Sequence, residues 1–432
     1  MEEQLRLENA ELRRELEQVK RELDLLKSQN ETAQSIPPQV QEGAGLTNAE
    51  IQRYGRQLIL PDIGIKGQKK LKNASVLVVG AGGLGSPCIL YLCAAGVGRL
   101  GIVDHDVVDN TNLHRQVIHD ERREGMSKAA SAKYSCNKLN SFCDVQIYDT
   151  LFNSDNALEI IQQYDVVVDC TDNVATRYLI NDACVMAKKP LVSGSAVRMD
   201  GQLTIYNYNG GPCYRCLFPT PPPPESVTNC ADGGVLGVVP GIIGCLEALE
   251  TIKVITGLNA NYKPNLLVFS AAHTPAFRSI KLRAKKHDCA VCGDEPTVTS
   301  LIDYVQFCGS GALDKLQDLT ILDSSERVSC TEYSEIMTKD NSHLLLDCRE
   351  KVQFEICQLP NSTNIPWSQF ERQIDGFNEY DRTKPVYVVC RRGNDSQQAV
   401  RMLQSKGWTN VKDIAGGLVA WTKEVDSEFP LY

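Results

Sequence analysis

Two stretches of the chain carry residue types that do chemistry at the spacing such chemistry needs. The first reads Val76-Leu77-Val78-Val79-Gly80-Ala81-Gly82-Gly83-Leu84-Gly85, an apolar run that breaks into a glycine-rich turn and opens a helix. Glycines allow the tight turn, and the helix N-terminus offers amide donors and positive dipole to a phosphate. Asp104, nineteen residues after Gly85, ends the next apolar run and can accept a ribose hydroxyl. The second stretch reads Val386-Tyr387-Val388-Val389-Cys390-Arg391-Arg392-Gly393-Asn394-Asp395-Ser396. Here a cysteine follows a strand and precedes a helix starting near Ser396. Loop amides, the helix dipole, Arg391 and Arg392 favour a sulfur anion on Cys390. One stretch suits a nucleotide and the other suits sulfur carried on a cysteine.

A glycine loop followed by an acid is equally a dehydrogenase fingerprint. The segments next along the chain separate the two readings. Asp104-His105-Asp106 leads into Asn110-Thr111-Asn112-Leu113-His114-Arg115-Gln116, then Gly125-Met126-Ser127-Lys128, then Cys170-Thr171-Asp172-Asn173. An adenylating site must bind a triphosphate, neutralise charge gathering at the α-phosphate and hold a magnesium ion. Arg115 and Lys128 are suitable cations and Asp172 a suitable metal ligand. An NAD-dependent oxidoreductase leaves those cations unexplained.

Other cysteines also fall at chemical spacings. Cys213-Tyr214-Arg215-Cys216 and Cys289-Ala290-Val291-Cys292 are two CxxC pairs, which together satisfy tetrahedral zinc. Their long separation leaves a redox pair open. Cys230, in Thr228-Asn229-Cys230-Ala231-Asp232 after a proline run, is either a loop thiol able to reach an acyl-adenylate or an incidental cysteine. For Cys390 the rival is a cysteine phosphatase, which needs Cys-x5-Arg. The sixth position after Cys390 is Ser396, so sulfur transfer is favoured.

The elements that must position these residues follow from composition and periodicity. A chain of 432 residues calls for two or three domains. A net charge of −9 gives no general basic footprint, so direct nucleic-acid binding is not expected. The N-terminal thirty residues are rich in Glu, Lys and Arg and do not read as a signal peptide. The apolar stretch 235–255 is interrupted by Pro240, Glu247, Glu250 and Lys253, which argues against a membrane span. Seventeen cysteines diluted in so long a chain point to a reducing compartment, the cytosol. Cys88, Cys93, Cys136, Cys170, Cys184 and Cys245 lie among apolar residues and read as small buried hydrophobes.

Residues 1–31 read as a helix with a short heptad pattern (Leu5, Leu12, Val19 and Leu26, with Asn9, Leu16, Leu23 and Asn30 on the interleaved seam), either a coiled coil or a charged single helix. A linker occupies 32–45. From 46 to 300, short β-rich runs at 76–79, 100–104, 166–169, 191–193 and 203–206 alternate with helical stretches, predicting an α/β domain with a mostly parallel sheet. Residues 301–325 read as a connector. A smaller α/β domain spans 326–432, with strands at 344–346 and 386–389 and a helix over 396–405.

The segment from about Ala49 to Cys292 resembles the MoeB/ThiF family of ubiquitin-like-protein activating enzymes. The likeness rests on Arg53-Tyr54-Gly55-Arg56-Gln57, the glycine loop, Asn112-Leu113-His114-Arg115-Gln116 and Thr171-Asp172-Asn173, in that order. It implies a Rossmann-like adenylation domain that uses ATP and Mg2+, with Gly83 and Asp104 on the nucleotide. Asn112, Arg115 and Lys128 would surround the phosphates, with Thr111, Leu113, His114 and Asn173 in the same site, and Asp172 would support magnesium. Arg56 would reach the site from a partner subunit, which implies a homodimer. The likeness also favours a closed structural Zn2+ site at Cys213, Cys216, Cys289 and Cys292. The activated group in this family is the C-terminal glycine carboxylate of a ubiquitin-fold carrier.

The segment from about Ser329 to Tyr432 resembles a rhodanese domain. Leu346-Asp347-Cys348-Arg349, Ile365-Pro366 and Gly416-Gly417-Leu418 with Trp421 support it. Asp395 stands where simple rhodaneses commonly place a cation. That favours a protein-bound persulfide, from a cysteine desulfurase or another persulfide donor, over free thiosulfate. The two domains in this order resemble eukaryotic fusion enzymes acting on sulfur carriers that end in Gly-Gly. Those carriers are the small subunit of molybdopterin synthase and a ubiquitin-related modifier that supplies sulfur for tRNA 2-thiolation. The same likeness gives Cys230 a thioester or disulfide link during sulfur delivery. A non-catalytic carrier-binding adaptor is the alternative reading.

Overall fold

A computed structural model describes residues 45–223, 233–309, 320–339, 342–376 and 380–432. The N-terminal heptads and Cys230 lie outside the described residues. The chain divides into two compact units, Met1–Gly311 and Ala312–Tyr432.

The first unit is built on an eight-stranded sheet. In chain order its strands are β1 (Ser75–Val79), β2 (Arg99–Val103), β3 (Asp144–Tyr148), β4 (Val166–Asp169), β5 (Leu191–Val197), β6 (Asp200–Tyr206), β7 (Asn265–Ser270) and β8 (Phe277–Lys281). Their spatial order is β3-β2-β1-β4-β5-β6-β7-β8. The pairs from β3 to β5 are parallel, and those from β5 to β8 are antiparallel. The run at 203–206, expected in the mostly parallel sheet, therefore lies in an antiparallel strand, reached by a tight return from β5.

The alternation of the strands sorts side chains between two cores. Val76 and Val78 pack on one face with the helix Gly85–Ala95 and the helix Val238–Thr256. Leu77 and Val79 pack on the other with the helices Ala157–Gln162 and Val174–Ala187. The apolar stretch is thus a core helix, and no described helix is long and apolar enough to cross a membrane. Cys88, Cys93, Cys136, Cys170 and Cys184 are buried as expected, whereas Cys245 is only half-buried. Within 301–325, Tyr304–Cys308 forms a helix whose Tyr304 and Cys308 join the first unit's core.

Strand order reverses between β1 and β4, and in such sheets ligands bind in the crevice beyond the strand C-termini at that point. Gly80 follows β1, Asp104 follows β2 and the Cys170–Asn173 loop follows β4, so the topology gathers the candidate nucleotide residues at one edge.

The second unit holds five parallel strands, β9 (Arg327–Val328), β10 (Leu344–Asp347), β11 (Ser362–Asn364), β12 (Val386–Val389) and β13 (Val411–Ile414), in the order β11-β10-β12-β13-β9. Cys390 leaves the C-terminal end of the central strand, β12, ahead of the helix Asp395–Ser405.

Candidate nucleotide site, thiol cluster and sulfur-carrying loop

The glycine loop has no room for a side chain at either end. Gly80 adopts φ +98°, and a Cβ there would lie 2.7 Å from the Cys170 carbonyl oxygen. At Gly85 a Cβ would lie 1.9 Å from the Gly80 oxygen, so the loop closes tightly on the helix it opens. Asp104 turns back on this loop. Its Oδ2 accepts from the Ala81 amide at 2.7 Å and its Oδ1 from the Asp106 amide at 2.9 Å. Burial pushes the Asp104 carboxyl up, against the pull of Lys128 and the two amides.

Lys128 heads the helix Lys128–Leu139, whose N-cap is Ser127. It is only 5 % exposed, and its Nζ lies 2.9 Å from Asp106 Oδ2, so it is no solvated surface charge. Arg115 is half-buried and donates to Asn112 Oδ1 at 2.6 Å. His114 Nδ1 lies 3.0 Å from the Thr111 carbonyl oxygen. A Cβ on Gly83 would meet Pro240 at 3.2 Å and Arg115 Cγ at 3.4 Å, which places Gly83, Arg115 and the helix Val238–Thr256 side by side. Leu113 is half-buried between these residues in sequence. Asn173 caps the helix Val174–Ala187 by accepting from the Thr176 amide at 2.9 Å, and Asp172 just before it is exposed. Arg56 is exposed on the helix Asn48–Leu58.

Behind the Asp172 loop lies a network that sequence reasoning did not single out. Asp169, fully buried, accepts from the Thr171 amide at 3.1 Å, the Thr171 hydroxyl at 2.6 Å, the Ser193 hydroxyl at 2.9 Å and Arg177 Nε at 3.1 Å. Arg177 also donates to the carbonyls of Thr171 and Gly194, each at 3.1 Å. The turn that presents Asp172 is thereby stapled to β4 and β5. An acid closing an all-apolar strand, with an arginine one turn into the next helix, was the available signal.

The four CxxC sulfurs converge within 4.8 Å of one another. Cys213 Sγ lies 3.9 Å from Cys216 Sγ and 3.6 Å from Cys289 Sγ, and Cys216 Sγ lies 3.4 Å from Cys292 Sγ. A tetrahedral zinc with thiolate bonds sets sulfurs about 3.8 Å apart, so the donor set fits that ion. The Lys286 amide donates to Cys216 Sγ at 3.5 Å. Between Cys213 and Cys216, Arg215 turns inward and grips the buried Asp182 carboxylate at 2.7 to 3.1 Å.

Cys390 is 1 % exposed. The Gly393 amide donates to its Sγ at 3.1 Å, and Ser396 Oγ lies 3.4 Å away. Burial pushes the thiol up, but its neighbours Cys348 and Ser396 outweigh it and bring the group down to about 7; the Cys348 thiol itself donates to the Val389 carbonyl at 3.4 Å. Cys348 stands beside Cys390 because Asp347 and Val389 are paired in the β10–β12 register. Glycines shape the loop: a Cβ on Gly393 (φ +81°) would lie 2.7 Å from the Gly416 amide, and one on Gly417 (φ +59°) 2.4 Å from the Cys390 carbonyl oxygen. Arg391, expected to favour the sulfur anion, turns to Tyr432. It donates to the Tyr432 carbonyl oxygen and stacks 4.9 Å from its ring centroid. Arg349 forms a buried pair with Asp347 and donates to the Tyr432 hydroxyl at 2.7 Å.

Residues 54–291 match the ThiF family and residues 329–424 the rhodanese-like domain. The chain therefore belongs to the ThiF family and carries a rhodanese-like domain behind its adenylating unit. It is 55 % identical to the adenylyltransferase and sulfurtransferase MOCS3 of Culex quinquefasciatus over 397 residues, covering 90 % of each protein. It is 49 % identical to the protein of that name from Danio rerio, covering 94 % of each. It is 50 % identical to that from Mus musculus, covering 92 % of this chain and 90 % of the other. Its family within that class is thus the MOCS3 adenylyltransferases and sulfurtransferases, and it is an enzyme with both activities. Among solved structures, Escherichia coli MccB with MccA-N7isoASN is similar at a TM-score of 0.51 and 23 % identity, covering 57 % of this chain and 76 % of MccB. That likeness concerns the fold alone.

Proposed function

We propose that the adenylating unit activates the C-terminal glycine of ubiquitin-fold sulfur carriers ending in Gly-Gly, and that the Cys390 unit then converts it to a thiocarboxylate. The observation that carries this reading is the pairing in one chain of a glycine loop flanked by Arg115 and Lys128 with a buried cysteine held near neutral pKa. In the first step the carrier carboxylate attacks the α-phosphorus of ATP, forming the acyl-adenylate and expelling pyrophosphate. The glycine-loop amides bind phosphate, Asp104 takes the ribose, and Asn112, Arg115 and Lys128 neutralise charge at the α-phosphate. Thr111, Leu113, His114 and Asn173 shape this pocket, and Gly83 leaves space for the nucleotide. Magnesium, held by Asp172, would draw charge from the phosphates. Arg56 of the partner subunit completes the site in a homodimer.

In the second step the outer sulfur of a Cys390 persulfide attacks the acyl carbon and AMP leaves. Thiol attack on the Cys390 sulfur, for which Cys230 is the candidate, then frees the carrier thiocarboxylate. This leaves a disulfide that a cellular dithiol reduces. Cys213, Cys216, Cys289 and Cys292 would hold a structural zinc. The carriers would be the small subunit of molybdopterin synthase and a ubiquitin-related modifier for tRNA 2-thiolation, and the donor a cysteine desulfurase or other protein persulfide in the cytosol.

The test is the intact mass of a carrier incubated with the protein, Mg-ATP and a persulfide donor. A gain equal to replacement of one oxygen by sulfur, lost in Cys390→Ala, is expected. Carrier-dependent ATP–pyrophosphate exchange without that gain would overturn the sulfur step. Neither exchange nor gain with a competent carrier would overturn the whole reading.

A further inference from the structure

His119 sits under the glycine loop and has no part in the two steps of the proposed reaction. It is 6 % exposed. Its Nε2 lies 3.0 Å from the Ala81 carbonyl oxygen, and its Nδ1 lies 2.8 Å from Ser131 Oγ on the helix Lys128–Leu139. A carbonyl oxygen can only accept, so Nε2 bears the proton and the Ser131 hydroxyl donates to Nδ1. Burial lowers the ring to about 4, with Arg123 and Lys128 adding to it against the Ala81 bond and Asp120. The imidazole is neutral at physiological pH.

The same residue, Ala81, is held from its other end, because its amide donates to Asp104 Oδ2 at 2.7 Å. Both polar groups of one loop residue are thus fixed by side chains, the buried His119 and the half-buried Asp104. The consequence reaches the next peptide. The Ala81–Gly82 unit is planar and trans, so the Gly82 N–H points opposite to the Ala81 carbonyl. A carbonyl drawn down onto His119 turns the Gly82 amide away from the core, toward the crevice at the end of β1.

We infer that His119 is a positioning residue for adenylation: by donating Nε2–H to Ala81 it fixes the peptide plane that presents the Gly82 amide to the nucleotide phosphates. The inference rests on the reading that the glycine loop binds ATP. Gln can place a donor close to the Nε2 position, Asn stops short of it, and Leu fills the space without one.

The experiment compares His119→Leu, His119→Asn and His119→Gln in the full chain. Equilibrium affinity for a non-hydrolysable ATP analogue, KM for ATP and for the carrier in pyrophosphate exchange, and the thermal midpoint are measured together. Losing one buried donor predicts an ATP affinity about tenfold weaker in the Leu and Asn variants. The Gln variant should stay within about threefold of the parent, with carrier KM unchanged in all three. Gln as impaired as Leu, unchanged ATP affinity in Leu and Asn, or ATP and carrier KM rising together with a lowered midpoint would overturn the inference. Asn and Gln decide the matter if Leu does not fold. A parent protein that binds the analogue but shows no exchange would refute the adenylation reading and leave the affinity comparison for His119 intact.

Discussion

The place of Cys348 beside Cys390 makes a quantitative prediction about sulfur loading, because its thiol, which donates to the Val389 carbonyl at 3.4 Å, can turn its one proton to a Cys390 thiolate. Cys390 is fully buried, and burial alone would hold the thiol protonated; the neighbouring Cys348 thiol is the leading opposing influence, and together with Ser396 it brings the group to about 7. A hydrogen bond to a charged group contributes about 1.5–3 kcal/mol, and a thiol is a weak donor, so the lower end applies. At about 1.4 kcal/mol per unit, Cys348→Ala should raise the Cys390 midpoint by about one unit. The thiolate fraction at neutral pH then falls from about one half to about one tenth, and reaction slows about fivefold. The assay is the pH dependence of iodoacetamide labelling, read on the Cys390 peptide by mass spectrometry so that the other thiols do not interfere. Cys348→Ser keeps a donor and should restore most of the shift. Stability should follow the same group: its folded value lies below the ordinary 9, so its contribution is present above pH 9 and fades as pH falls through about 7. An unchanged midpoint in Cys348→Ala would refute the assignment of Cys348 as the donor.

Three further outcomes follow from the geometry. Lys128→Met removes the buried cation beside Asp106 and should lower carrier-dependent pyrophosphate exchange about a hundredfold or more, with Cys390 labelling unchanged. Arg215→Met leaves the Asp182 carboxylate buried with the uncharged donors Asn181 and Tyr304; chemical denaturation should show the first unit weakened by about 3–5 kcal/mol, and bound zinc per chain should fall. Gly417→Ala drives a Cβ to 2.4 Å from the Cys390 carbonyl at a left-handed φ, so persulfide loading should be lost while pyrophosphate exchange persists.

The parallel centre of the first sheet was legible because both its faces are buried, which leaves unbroken apolar runs at β1, β2 and β4. Among the strands that went unread, two owe it to exposed residues. β3 is an edge strand whose Asp144 and Gln146 interrupt its apolar positions, and β8 is exposed along its whole length. Neither offers a continuous apolar run; β3 is held by pairing with β2, distant in sequence, and β8 by its antiparallel return onto β7. Glu247 interrupts the apolar stretch 235–255 in sequence, and the expectation that this stretch spans no membrane holds, but its charge is not what the sequence suggests. Read as a charge that interrupts an apolar stretch, it is fully buried against Gly194, and burial pushes its carboxyl well above the usual range. A neutral acid is compatible with a core helix, so the charge count along that stretch overstated its polarity.

The same division explains the candidate sites. Gly80, Gly85, Gly393 and the CxxC pairs declare themselves because the constraint is local: a turn that excludes Cβ, or two thiolates on one short turn. The groups that tune them are not local. His119 reaches Ala81 across 38 positions, and Ser193 reaches Asp169 across 24. Cys348 meets Cys390 only through strand register. Each is an ordinary residue in its own segment and acquires a role from what the sheet sets beside it. Arg391 shows the converse. Its place next to Cys390 made it the obvious anion partner, yet its guanidinium also holds Tyr432, and Cys348 and Ser396 are the leading influences that oppose the burial of the thiolate. Adjacency in sequence fixes where a side chain starts, and packing decides what it touches. Substitutions at these supporting positions should therefore separate binding from chemistry more cleanly than substitutions in the loops, since they alter the aim of a group without removing it.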